Sequence, residues 1–274
     1  MASSSASWRR LVVCAATAGL AGFLMGFDTI VISGAEQTIQ QLWGLSGTVH
    51  GMCMSAALFG TVLGALVGGY PSERWGRRRT LLAIGVLYFV GSLGPALAGS
   101  ALPFAFFRFV GGLGVGVATI ASPLYVSEIS PAGMRGRLTG LFQLNIVFGI
   151  LIALLSNAAI GALVAEDVAW RWMLAVMAFP SVLYTLLCLG IPESPRWLIS
   201  TAQKQQGLAV FREVNPTMDE AQIAALGEGV VAALAAEAPA AGEAAPKFWR
   251  RELRRPHQLA FCIAFFNQLS GINA

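Results

Sequence analysis

The sequence predicts an all-α integral membrane fold, and three features carry that expectation. Apolar residues make up 56% of the chain and charged residues only 12%, against about 25% charged in soluble domains. Six runs reach the length of about 20 apolar residues that a bilayer-spanning helix needs. Basic residues then gather on one side of those runs, as the positive-inside bias requires.

The runs lie at about 11–33, 50–69, 80–99, 103–126, 139–163 and 171–191, and a seventh begins near Gln258 and is cut off at Ala274. The first follows Arg9 and Arg10 and has the outline of a signal peptide. No small-x-small cleavage site closes it, and it continues past Asp28 to Ser33, so a retained span is expected. Gly60, Gly64 and Gly68 in the second run, and Gly112 and Gly116 in the fourth, recur four apart. Small residues at that spacing let membrane helices approach closely. Gly112-Leu113-Gly114 has no strand ahead of it, so a dinucleotide site is not expected. Only Arg196 to Pro256 turns polar, with short amphipathic helices expected at about 197–213, 218–236 and 247–254. Asn215-Pro216 and the low-complexity linker EAPAAGEAAP separate them. The expected layout is a six-helix transmembrane domain over 1–195, a helical insert over 196–256, and the start of a seventh helix over 257–274.

Of the 18 Lys and Arg, all but Arg108 and Arg171 precede the first run, separate the second from the third or the fourth from the fifth, or follow the sixth. That places these segments and the N-terminus in the cytoplasm of a multi-pass protein, with the plasma (inner) membrane as its expected location. The net charge of +4 is therefore mostly topology and gives no ground for a nucleic-acid partner; the partner it implies is the lipid bilayer. Cys14, Cys53, Cys188 and Cys262 fall in apolar segments without metal-ligand spacing and are expected as buried, reduced thiols. With two histidines, His50 and His257, no carboxylate pair in a cleft and no nucleophile motif, neither an enzyme nor a metal or cofactor site is expected.

Two ionisable residues stand inside the runs. A charge at mid-span costs about 2.5–3.5 kcal/mol on insertion scales, so such residues are candidates for function. Asp28 lies near the outer end of the first run, and Arg108 near the outer start of the fourth, which runs the opposite way. At a rise of 1.5 Å per residue both sit roughly 7–8 Å below the outer surface of the core. Matched in depth and opposite in charge, they can form a static ion pair. They can also form a proton switch, in which protonating Asp28 frees Arg108 and biases one conformation. A polar cluster of Pro123, Tyr125, Glu128, Pro131, Arg135 and Gly136 closes the fourth run and marks where the chain leaves the lipid.

That cluster, read as P-x-Y-x-x-E-x-x-P-x-x-x-R-G, resembles the junction of helices four and five in the sugar porter family of the major facilitator superfamily. Gly26 to Ala35 is similar to the family's G-Y-D-x-G-V-I-S-G-A, and Gly69 to Arg79 resembles its G-x-x-x-D-R-x-G-R-R. Pro192 to Leu198 matches PESPRWL in full, and Asn267 to Ala274 resembles Q-Q-L-S-G-I-N-A. The resemblance implies a major facilitator fold: a six-helix N-terminal bundle, a cytoplasmic helical insert and a truncated seventh span. Symporters of the family carry Asp where Asp28 stands and many facilitators carry Asn, so the resemblance favours proton coupling through Asp28 and Arg108. It implies a conformational latch of Glu73, Arg74, Arg77, Arg78, Glu128, Arg135, Glu193 and Arg196, with charge-assisted pairs made in one state and released in another. The plainer reading of Arg77 to Arg79 is that they only anchor topology. Gln143 falls on the family's sugar-contacting glutamine, and Asn267, Gln268 and Asn273 supply amides on the seventh span, where Gly271 offers a place to unwind. The plainer reading of such amides is that they join helices. The departures are Phe27 for Tyr, Ile30 for Gly, Glu73 for Asp and Asn267 for Gln.

The function expected is that of a transporter moving a monosaccharide with protons by alternating access. Its partners are the sugar, the proton and a C-terminal six-helix half. A sugar or polyol facilitator of the same fold, or a sugar sensor that does not transport, stays open. The 274 residues are expected to be either part of a longer reading frame or a half-length product. Acting as a monomer, one half encloses no substrate and is not expected to transport.

Overall fold

Lipid leaves no water to pair backbone N–H and C=O groups, so a spanning segment must satisfy them within itself, and a helix does so. A computed structural model describes residues 2–131, 133–215 and 218–237, with 258, 259 and 262, and among these there is no strand. In order come α1 (Ala2–Val31) with a 3-10 turn (Ile32–Gly34), α2 (Glu36–Leu42), α3 (Gly47–Val67), α4 (Gly69–Trp75), α5 (Arg77–Leu97) and α6 (Ala101–Ile129). They are followed by α7 (Arg135–Leu163), α8 (Glu166–Ala175), α9 (Ala178–Leu189), α10 (Pro195–Ser200), α11 (Lys204–Val214) and α12 (Glu220–Glu237). The six expected runs appear as six segments long and apolar enough to cross a membrane: Arg9–Gly34, Gly47–Val67, Arg77–Leu97, Ala101–Ile129, Arg135–Leu163 and Glu166–Leu189. The protein is a multi-pass membrane protein.

The sixth run starts earlier than its expected 171 and breaks between α8 and α9. Pro180 is the cause: it has no N–H for the Val176 carbonyl and its ring crowds that carbonyl, and the Phe179 N–H bonds to Val176 instead at 3.3 Å. The helix expected over 197–213 is likewise two, α10 and α11. Ala202 between them has φ +63°; the Ala202 N–H bonds to Ile199 O and the Gln203 N–H to Leu198 O, the paired bonds that close a helix through a left-handed residue. Arg212 on α11 forks onto Glu220 at 2.7 Å on both arms, and those bonds hold the exposed Glu220 carboxyl below its ordinary range. The helix expected at 247–254 lies outside the described residues. The chain falls into two compact units, Met1–Glu228 and Gly229–Ala274.

Within the first unit α3 packs along α6, α1 along α7, and α5 against α6 and α9. Small residues set these distances. A side chain added at Gly60 or Gly64 would strike the α6 carbonyls of Phe109 or Leu113, and one added at Gly112 or Gly116 would strike the α3 carbonyls of Ala57 or Thr61. The stripe expected from spacing is thus a mutual backbone contact. The same close approach joins α1 to α7 at Gly22, Gly26 and Gly149, which spacing alone did not single out. At one end of the bundle Trp43, after α2, stacks edge-on against Trp170 and Phe104. Outward, α3 leaves Leu58, Val62 and Leu66 exposed and α7 leaves Leu144, Leu151 and Leu155 exposed, the pattern of helices that are apolar all round. Cys14, Cys53 and Cys188 are buried and free, but Cys262 is exposed, as are Gln258 and Leu259 beside it; burial holds for three of the four.

Replacing Gly64 or Gly112 by Leu forces α3 and α6 apart, at about 1–3 kcal/mol of overpacking. Thermal unfolding in detergent should show both variants melting below wild type. Gly51, which has open space around it, serves as the control: Gly51→Ala should melt at or slightly above wild type, since alanine is the better helix former by about 0.5–1 kcal/mol.

Candidate functional site

Residues two apart on a helix face about 200° away from each other. With Gly26 pressed on the Ile146 carbonyl of α7, Asp28 is therefore turned to the other side of α1, toward α6. There Arg108 Nη1 donates to Asp28 Oδ1 at 2.6 Å. Both side chains are shut away from solvent, at 5% exposure for Arg108 and 9% for Asp28. Among the described residues Arg108 Nε has no partner, so one short charge-assisted bond carries the compensation of a buried guanidinium. Tyr88 of α5, fully buried, points its hydroxyl at the Ala21 carbonyl of α1, 3.5 Å away.

Beyond Asp28 the α-helix does not simply end. The hydroxyls of Thr29 and Ser33 donate back to the carbonyls of Met25 and Ile30, a side-chain pattern that bends helices. Asn157 of α7 donates from Nδ2 to the Val31 carbonyl at 3.1 Å. Asn157 is not among the residues expected to be functional; the signal for it in the sequence is a lone carboxamide far along the apolar run 139–163.

At the opposite end of the bundle a second charged constellation joins three helices. Arg77 donates from Nε and Nη2 to the two oxygens of Glu128, each at 2.9 Å, and from Nη1 to the Ser72 carbonyl. Ser194 Oγ donates to Glu128 at 2.6 Å. Glu193 accepts from the backbone N–H groups of Arg77 and Arg78 at 2.8 and 3.0 Å, so a carboxylate from another segment caps the start of α5. The fit depends on Gly76, at φ +95°, where a side chain would overlap the Glu193 carboxylate. Arg78 donates to the carbonyls of Cys188 and Leu189 at the end of α9, and the Tyr125 hydroxyl donates to Pro192. Of the expected set, the structure thus brings together Arg77, Arg78, Glu128 and Glu193. Among the described residues the side chains of Glu73, Arg74 and Arg135 are exposed and form no ion pair; Glu73 contributes its carbonyl, which accepts from Trp197 Nε1. Arg196 is half-buried on α10.

Gln143 stands exposed on α7. Asn145 faces elsewhere, its amide lying against Gly19 of α1. Asn267, Gln268 and Asn273 lie outside the described residues. Gln143 lines neither of two cavities, an apolar one of about 380 Å³ between α1, α7 and α9 and a more polar one of about 700 Å³ beside α2 and α8. Arg171, which faces the end away from the charged constellation, donates to the Ala96 carbonyl at 2.6 Å and lies over the Trp170 ring.

A six-helix bundle with glycine-seamed helix pairs, a buried acid–arginine pair and a charged knot at one end defines the N-terminal half of the major facilitator fold. Solved structures bear this out. Over 85% of this chain and 55% of the other, it superposes with a TM-score of 0.80 and 30% identity on the proton:xylose symporter XylE bound to 6-bromo-6-deoxy-D-glucose. A partially occluded inward-open form of the xylose transporter XylE from E. coli gives 0.79 over 83% and 60%. The chain belongs to the sugar (and other) transporter family, whose profile matches residues 13–274; it is a family of transporters rather than enzymes. The arabinose-proton symporter of Bacillus subtilis is 32% identical over 96% of this chain and 56% of its own length. The D-xylose-proton symporter of Escherichia coli K12 is 34% identical over 72% and 46%, and the glucose transport protein of Synechocystis 38% over 77% and 47%. The chain spans about half the length of the curated relatives it matches.

Breaking the buried pair from one side leaves an uncompensated polar group, at about 3–5 kcal/mol. Arg108→Gln alone and Asp28→Asn alone should each lower the melting temperature, and the double variant should lose less than the two singles added together; strict additivity would mean the pair is not coupled. Gly76→Ala meets both a positive φ with an extended ψ, a combination open almost only to glycine, and the Glu193 carboxylate, so it should cost more than the roughly 1–3 kcal/mol of that backbone alone. Glu193→Ala removes the cap of α5 and should itself lower the melting temperature. The double variant should lose less than the two singles added together, because the overlap is gone.

Proposed function

We propose that these residues form the N-terminal half of a transporter that carries a monosaccharide together with protons by alternating access, completed by a second six-helix half. The observation that carries the reading is the buried Asp28–Arg108 bond. A proton delivered to Asp28 removes the negative charge that compensates Arg108, so the contact between α1 and α6 weakens, and the conformation in which the two are apart gains in population. The names of relatives in the same family, an arabinose-proton and a D-xylose-proton symporter, support the reading. Gln143, Asn267, Gln268 and Asn273 are assigned to sugar contact, their amides offering both donors and acceptors to hydroxyl groups.

The knot of Arg77, Arg78, Glu128 and Glu193, with Glu73, Arg74, Arg135 and Arg196 around it, is assigned to a latch that holds one conformation. The bidentate geometry of Arg77 on Glu128 supports that role, since such pairs form and release as units. The proposed layout is 1–195 as membrane domain, 196–256 as cytoplasmic insert and 257–274 as the start of helix seven. The proposed orientation has the N-terminus in the cytoplasm at a plasma (inner) membrane, which the distribution of basic residues supports.

The test is uptake of labelled hexoses, pentoses and polyols into proton-tight vesicles holding the whole transporter, with and without an inward proton gradient. Symport predicts accumulation above equilibrium only with the gradient, and its loss in Asp28→Asn. Equilibration that ignores the gradient would make the protein a facilitator with a structural ion pair. Binding without movement would make it a sensor.

A further inference from the structure

We propose that Asn157 is a positioning residue for the Asp28–Arg108 pair, acting through the carbonyl of Val31; this rests on the proton-coupled reading above. In a continuing α-helix the Val31 carbonyl would accept from the Ala35 N–H. Here the Ala35 N–H bonds to Ile32 O at 2.9 Å, because α1 tightens into the 3-10 turn Ile32–Gly34. Val31 is buried, at 1% exposure; the 3-10 turn meets its carbonyl with the Gly34 N–H in i→i+3 geometry, and the second lone pair of that carbonyl has room for another donor. Asn157 Nδ2 supplies it from α7 at 3.1 Å, and Asn157 is itself 9% exposed.

The amide is held in place from the other side. A side chain added at Gly34 would come within 2.7 Å of Asn157 Nδ2 and 2.8 Å of Met173 Sδ, so Gly34 and α8 enclose the carboxamide. Further back along α1, contact with α7 runs backbone to backbone at Gly22 and Gly26. Asn157 is the contact that continues this seam past the acid. Val31 follows Asp28 by three residues, about 4.5 Å along the axis, with the back-bonded hydroxyl of Thr29 between them and that of Ser33 just beyond. A shift of the Val31 carbonyl therefore moves Asp28 relative to Arg108. Asn157 sets the depth and rotation at which Asp28 Oδ1 meets Arg108 Nη1, and it gives α7 a hold on the proton-binding turn.

The experiment compares wild type, Asn157→Leu, Asn157→Gln and Gly34→Ala by two measurements. Hydrogen exchange on the purified chain reads the turn itself: residues 31–36 should exchange faster in Asn157→Leu and in Gly34→Ala, which reaches the same amide from the other side. Vesicle assays of the whole transporter compare gradient-driven accumulation with sugar–sugar exchange. A mispositioned acid should lower the first about tenfold or more relative to the second, with Asn157→Gln, which keeps the donor, recovering part of the loss. General damage to the bundle would lower both alike, and that result overturns the proposal. Unchanged exchange at 31–36 in Asn157→Leu also overturns it. A wild-type transporter that never accumulates sugar sinks the symport reading instead, so the two ideas fail separately.

Discussion

Every helix of this bundle ends with backbone groups that its own ladder leaves unpaired, and the structure depends on how those ends are met. Glu193 takes the first N–H groups of α5, while Arg171 takes the Ala96 carbonyl in its last turn. Arg78 takes two carbonyls at the end of α9, and Asn157 takes the carbonyl where α1 tightens. Arg10 donates to the Gly190 carbonyl just beyond α9 and pairs with Glu213 of α11. In each case the side chain comes from a different segment. The pairing that a membrane environment demands of each helix end thereby becomes tertiary structure, and it ties α11 to the membrane helices. The signs agree with the helix dipole as well, with a carboxylate at a start and guanidiniums at ends.

The second constraint is distance. Apolar surfaces gain little by meeting each other when lipid is the alternative, so helices associate through close packing. The glycines on α1, α3, α6 and α7 allow backbone to meet backbone, and that closeness fixes rotation. Once Gly26 faces α7, Asp28 has one direction left to point. The ion pair is thus a consequence of where the small residues are, as much as of the two charged residues themselves. A pair joined by a single short bond, with Arg108 Nε unpartnered among the described residues, compensates its buried charges only in part.

The two charged centres lie at opposite ends of the same helices. α6 carries Arg108 near its start and Glu128 near its end, and α1 runs from Arg10 to Asp28. On the proton-coupled reading proposed above, α6 would link the contact at one end to the network at the other. The exposed apolar sides of α3 and α7 are surfaces suited to lipid.

The sequence by itself determined six of the expected spans, their approximate limits, the depth match of Asp28 and Arg108, and the glycine stripe on α3 and α6. These follow from properties that composition carries: apolar length, sidedness of charge, and spacing along one helix. Only the tertiary structure decided which members of the charged loop motifs meet. Arg77 and Glu128 do so while Glu73, Arg74 and Arg135 stay outside, because partnership depends on how helix ends are aimed in space. The break at Val176, the left-handed Ala202 and the seam of α1 on α7 were likewise invisible as patterns, since each is set by geometry between segments. Asn157 shows the difference most plainly. One carboxamide in an apolar run reads as a polar residue in lipid, and its meaning comes from the Val31 carbonyl, 126 residues away along the chain, that no local rule connects to it.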